Sequence, residues 1–124
     1  MTQHEKSARV VSLLFHALAE ANGDRAVLHA GEKPYLVGPG GRRPLAHDDL
    51  SSGAMRGLVR ELLPEVARDA LARVGATKYE TPRLAELPDE HFEVDAHLAG
   101  DGPVVEIRRL RVPEEDYVPP ELFA

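Results

Sequence analysis

Residues His91–Leu98, HFEVDAHL, place Phe92, Val94, Ala96 and Leu98 at alternate positions, with Glu93, Asp95 and His97 between them. An extended strand, whose side chains point to opposite faces in turn, sorts these residues into an apolar and a charged face. AGDGP then supplies a turn, and VVEIRRLRV (Val104–Val112) returns as the partner strand. This predicts an antiparallel hairpin with one charged face, in which Glu93 and Asp95 on one strand can lie opposite Glu106 and Arg108 on the next. Its apolar face needs a second layer to cover it.

The cover is available as helices. From Ser7 to Asn22, Val10, Val11, Leu13, Leu14, Ala17, Leu18 and Ala21 recur at helical spacing, with Gly23 placed for a left-handed cap. A second stripe holds Leu50, Met55, Leu58, Val59, Leu62 and Leu63, with Asp48 or Ser51 as its cap. Pro64 ends that helix or opens the next, in which Val66, Ala70, Leu71 and Val74 continue the pattern up to Gly75. Between the helices RAVLH, PYLVG and RRPL read as three short strands, and TKYETPRL as an edge strand weakened by Pro82. The order α-βββ-αα-βββ describes one α+β domain over residues 1–113. The acidic, Pro-rich run 114–124 reads as a linker or docking arm.

Composition narrows the function classes. A chain of 124 residues suits one domain and can bury roughly two thirds of its unfolded surface. With no Cys, disulfides, thiol catalysis and Cys-ligated zinc all drop out, in keeping with a reducing compartment. The start of the chain is polar and then amphipathic, without the apolar run of a secretory signal or a membrane span, so no membrane insertion and a cytoplasmic location are expected. Fifteen basic residues against 21 acidic ones leave a net charge of −6, contrary to what a nucleic-acid binder needs.

Few residues point to chemistry. GPGGRRPL has glycines and arginines but no Lys-Ser/Thr, and its proline removes a donor, so a turn rather than a phosphate cradle is expected. His91 and His97 share the charged strand face but lie about 20 Å apart, too far to hold one metal ion. His16 and His29 read as packing or surface residues, and neither cofactor nor metal is expected. Arg108, Arg109 and Arg111 form a basic strip in an acidic chain, suited to an acidic partner.

The order of elements and several short motifs resemble the N-terminal, PAS-like domain of the PilT-like pilus-retraction ATPases and their secretion-ATPase relatives, the hexameric motors of twitching motility in bacteria. The residues that carry the resemblance are Ala30-Gly31, Pro34-Tyr35-Leu36, Gly40, Pro44-Leu45, Phe92-Glu93-Val94-Asp95-Ala96 and the run from Arg108 to Pro113. PPELF, near the chain's end, resembles the segment that leads to the motor domain. The family's Ser-Asp-Leu-His falls on Asp24-Arg25-Ala26-Val27, and Glu93 and Val37 stand where the family carries arginines. Arginines of this domain in the family reach nucleotide on a neighbouring motor domain; a carboxylate at Glu93 does not carry that role over.

No Walker-type run is present, so the resemblance implies a stand-alone or excised domain without its motor and without catalytic residues. The expected function is a protein-interaction or regulatory module that docks on a motor ATPase or a motility or secretion regulator, or associates with itself. Its expected contact residues are Arg42, Arg43, Arg108, Arg109, Arg111, Tyr117, Leu122 and Phe123. The alternative is a PAS-like sensor holding a small ligand or nucleotide between sheet and helices, lined by Phe15, Tyr35, Phe92 and Leu110.

Overall fold

The computed structural model describes residues 3–82 and 84–110. Its elements are α1 (Gln3–Glu20), β1 (Arg25–His29), β2 (Tyr35–Gly38), β3 (Gly41–Pro44), α2 (Ser52–Leu62), α3 (Glu65–Val74), β4 (Ala76–Glu80), β5 (His91–Ala99) and β6 (Gly102–Leu110). The expected α+β order is therefore present, with the six strands in one antiparallel sheet ordered β3-β2-β1-β6-β5-β4. Arg111, Tyr117, Leu122 and Phe123, the boundary at 113 and the tail 114–124 lie outside the described residues.

Alternation in the hairpin sets the sheet. Phe92, Val94 and Ala96 of β5, Val105 and Ile107 of β6, Ala26 and Leu28 of β1 and Leu36 of β2 are buried on one face. All three helices cover that face, adding Leu14, Phe15 and Leu18 from α1, Met55, Leu58 and Leu62 from α2, and Ala67 and Leu71 from α3 to one core. The hairpin brings the four expected charged residues opposite one another, and its register pairs Glu93 with Arg108 and Asp95 with Glu106. Leu98 keeps the apolar phase but is 47% exposed, because the hairpin tip runs past the helical layer.

Local signals explain the helix ends. Ser51 caps α2 by accepting a hydrogen bond from the Ala54 N–H at 3.0 Å. Pro64 caps α3, and Gly75, at φ 87°, ends it in the left-handed conformation. Two expectations are corrected. Val66 and Val74 are 80% and 79% exposed rather than buried, since α3 turns Ala67 and Leu71 inward and leaves the Val66 flank outside. The left-handed residue after α1 is Asn22, at φ 51°, not Gly23. Gly23 serves close packing instead: a Cβ there would stand 2.4 Å from Leu36 Cδ2, so a larger residue would force the Leu36 side chain out of its present place in the core.

Candidate interaction face of the sheet

Helices cover one side of the sheet, and the side chains that alternate away from the core form the other. Register places Arg42, Val37, Arg25, Arg108, Glu93 and Glu80 in one row across the strands. A parallel row holds Pro44, Tyr35, Val27, Glu106, Asp95 and Lys78. Val27 is only 7% exposed although it lies on this face, because its long neighbours close over it.

Charge on this face is paired but not saturated. Arg25 and Arg108 stand directly opposite one another, a like-charge pair that costs stability unless carboxylates screen it. Glu106 does so from both sides, 3.9 Å from Arg25 Nε and 3.8 Å from Arg108 Nε, and Asp95 Oδ2 lies 3.5 Å from Arg108 Nη1. Crowding raises the pKa of Glu93: burial is the main cause, followed by the hydrogen bond and charge of Asp95, with Lys78 and Arg108 opposing. Asp95 Oδ1 and Arg25 Nε are covered yet make no hydrogen bond. At the β3 end Arg42 stacks 3.9 Å above the Tyr35 ring centre and donates from Nη2 to the Tyr35 hydroxyl at 2.8 Å, which holds its guanidinium over the face.

The predicted contact arginines do not form one surface. Arg42 and Arg108 share the open face, whereas Arg43, opposite Leu36, and Arg109, opposite Phe92, point to the helical side. Arg108 and Arg109 are consecutive strand residues, so they cannot form a strip on one face. Arg109 is occupied: Nε and Nη2 donate to the two Glu90 carboxylate oxygens at 2.6 and 2.7 Å, and Nη1 donates to Asn22 Oδ1 at 2.5 Å. With side chains 16% and 19% exposed, Arg109 and Glu90 form a bidentate clamp tying β6 to the segment before β5 and to the left-handed turn after α1. No local sequence signal marks that clamp, because its members are 19 and 87 residues apart.

His29 is likewise more than a surface residue. Its Nδ1 contacts Glu32 and its Nε2 lies 3.0 Å from Asp101 Oδ1, so the ring bridges the β1–β2 connection and the β5–β6 turn. Hydrogen bonds to Asp101 and then to Glu32 raise its pKa above the ordinary 6.5. The stability that a raised histidine confers is fully present below 6.5 and is lost as pH rises through the folded value. Asp101, lowered by His29, adds stability that is lost only as pH falls below its ordinary 3.8. Thermal unfolding of the wild type is therefore expected to lose about 1–3 °C between pH 6 and pH 8 relative to His29→Gln. Parallel melting curves for the two proteins across that range would remove the clasp from the account.

The four residues expected to line a ligand cavity do not converge. Phe15 and Phe92 are 5% and 1% exposed and pack on each other, ring centres 4.7 Å apart, where a ligand would have to sit. Tyr35 lies on the other side of the sheet beneath Arg42. Among the described residues no group of three or more His, Cys, Asp or Glu is arranged to hold a metal ion. No described helix is long and apolar enough to cross a membrane.

No family model matches the chain, and no curated protein does so. Solved structures do. The pilus retraction motor PilT with bound ADP superposes with a TM-score of 0.70 over 88% of this chain at 15% identity. The ATPase DotB of Legionella pneumophila superposes with a TM-score of 0.66 over 94% of it, also at 15% identity. The matches take up 32% and 33% of those longer chains. This chain thus shares the fold of a region about one third the length of PilT and DotB.

Proposed function

We propose that this domain is a non-catalytic interaction module related to the pilus-retraction and secretion ATPases, docking through its open sheet face on a motor ATPase or on a motility or secretion regulator. The observation that carries the reading is the charge that this face leaves accessible: the Arg108 side chain stays 45% exposed beside its carboxylate neighbours, and exposed Arg42 is held over the face by Tyr35. An acidic partner surface can reach both guanidinium groups. The fold shared with PilT and DotB supports the class of partner. Arg111, Tyr117, Leu122 and Phe123 belong to the same proposal as a second contact element.

The sensor alternative has less support, since Phe15 and Phe92 already fill the space between sheet and helices. Arg42→Glu combined with Arg108→Glu tests the docking. Both residues lie on the open face outside the core, but Arg108→Glu adds a fourth carboxylate beside Glu93, Asp95 and Glu106, so the melting temperature should fall and circular dichroism must show the double variant folded at the assay temperature. Binding to the PilT-like ATPase of the same cell, read by biolayer interferometry, is expected to weaken at least about tenfold and to lose most of its salt dependence. Unchanged affinity in the double variant would show that this face is not the docking surface.

A further inference from the structure

The two edges of the sheet differ. Edge β3 is Gly41-Arg42-Arg43-Pro44, fully exposed, with adjacent arginines that repel a second copy and a proline that offers no donor. Edge β4 has another character. The Thr81 N–H donates to Phe92 O and the Leu98 N–H donates to Gly75 O, each at 2.9 Å, so the odd-numbered residues of this segment pair with β5. The backbone N–H and C=O groups of Ala76, Lys78 and Glu80 then point away from the sheet, and among the described residues no strand lies beyond them. All three side chains are exposed.

We propose that β4 is the pairing edge of a two-fold homodimer, antiparallel to β4 of a second copy and with Tyr79 on the axis. Two-fold antiparallel pairing must set outward-pointing residues opposite outward-pointing residues, which leaves few registers. Centred on Lys78, the pairing opposes two lysines; centred on Glu80, it opposes two glutamates. Centred on Tyr79, it sets Lys78 opposite Glu80 of the second copy and Glu80 opposite Lys78, each pair exchanging both backbone hydrogen bonds. The same register brings Thr77 against Thr81 and Tyr79 against Tyr79, both favourable cross-strand pairs. Pro82, which has no N–H, falls opposite Ala76 and ends the ladder there.

Charge alternation thus makes β4 complementary to itself in one register and repulsive in its neighbours. His91 Nε2 already meets Glu80 Oε1 at 2.5 Å from within the sheet, and Lys78 of the second copy would arrive from the outer side. The helix packed over this edge, α3, leaves Val66 and Val74 80% and 79% exposed, so uncovered apolar surface accompanies the strand edge. The pairing uses the end of the sheet rather than its open face, and it stands or falls separately from docking on an ATPase.

Sedimentation equilibrium of the 124-residue chain over about 1–500 μM tests it. A concentration-dependent dimer is expected. Lys78→Glu or Glu80→Lys alone should weaken it about tenfold or more, and the two together should restore it, because the swap rebuilds both ion pairs. In a chain without cysteine, Tyr79→Cys should form an intermolecular disulfide on oxidation, because directly opposite positions bring Cβ atoms to about 4.5–5.5 Å. Thr77→Cys should not, since its opposite residue is Thr81. A monomer throughout the range, a dimer indifferent to the single reversals, or cross-linking at 77 as readily as at 79 overturns the proposal. The exposed charge variants keep the test valid even where Tyr79→Cys disturbs folding.

Discussion

Phe92→Ala is expected to cost about 3–5 kcal/mol, the largest effect of any single substitution considered for this domain. Phe92 is 1% exposed on the core face of β5 and packs on Phe15, so its removal loses both transferred apolar area and an aromatic contact and leaves a cavity. A domain of this size has roughly 5–15 kcal/mol of stability, so the variant retains little reserve. Urea unfolding should show a lowered midpoint at constant slope, and the melting temperature should fall by about 10–20 °C. Phe92→Leu keeps much of the volume and should lose less than half as much. A shift below about 1 kcal/mol for Phe92→Ala would mean that the two rings do not form the centre of the core.

Arg109→Ala is expected to destabilise by about 2–4 kcal/mol, which is unusual for a residue that sequence alone marks as a surface contact. The loss leaves the Glu90 carboxylate mostly covered and without its bidentate donor, and it removes the hydrogen bond to Asn22 Oδ1. Arg109→Lys keeps the charge but not the two-pronged geometry, and should recover only part of the loss. Glu90→Gln with Arg109→Ala completes a double-mutant cycle, and a coupling of at least about 1 kcal/mol is expected. Additive effects would show that the clamp contributes no more than a surface pair. The same result bears on function: a binding defect in an Arg109 variant reports misfolding first, so docking is better tested at Arg42 and Arg108.

Period-two alternation sorted the two faces of the hairpin, because a slip of one residue would turn Phe92, Val94 and Ala96 out to solvent, but a slip of two would not, so the individual pairs were not legible. Glycine and proline placed the short strands β2 and β3 and the break between α2 and α3 with equal directness. Helix phase was harder. In α3, Val66 and Val74 looked like core residues, but a ten-residue helix that also holds three alanines and a leucine has more than one apolar flank, and packing against β4 and β5 chose the Ala67–Leu71 side. Asn22 and Gly23 both tolerate left-handed backbone, and the choice fell to Leu36, which needs the space that a Gly23 side chain would take. The His29–Asp101 and Arg109–Glu90 pairs join segments distant in sequence, and no local pattern announces such contacts. The arginine pair Arg108-Arg109 was conspicuous as a run of charge, yet strand geometry divides it between two faces with different roles.

The strand order has a consequence for how the domain is made. Strands β1, β2 and β3 pair with their sequence neighbours, and so do β4, β5 and β6, the longest link being residues 81–90 between β4 and β5, so each trio can form by local zippering. A single seam, β1 against β6, joins them, and it matches residues roughly eighty positions apart in the chain. Closing so long a loop carries the main entropic barrier to folding. Amides of Ala26 and Leu28, which face β6, should therefore become protected from hydrogen exchange late in refolding, after those of the β5–β6 hairpin, making the seam the last part of the sheet to form.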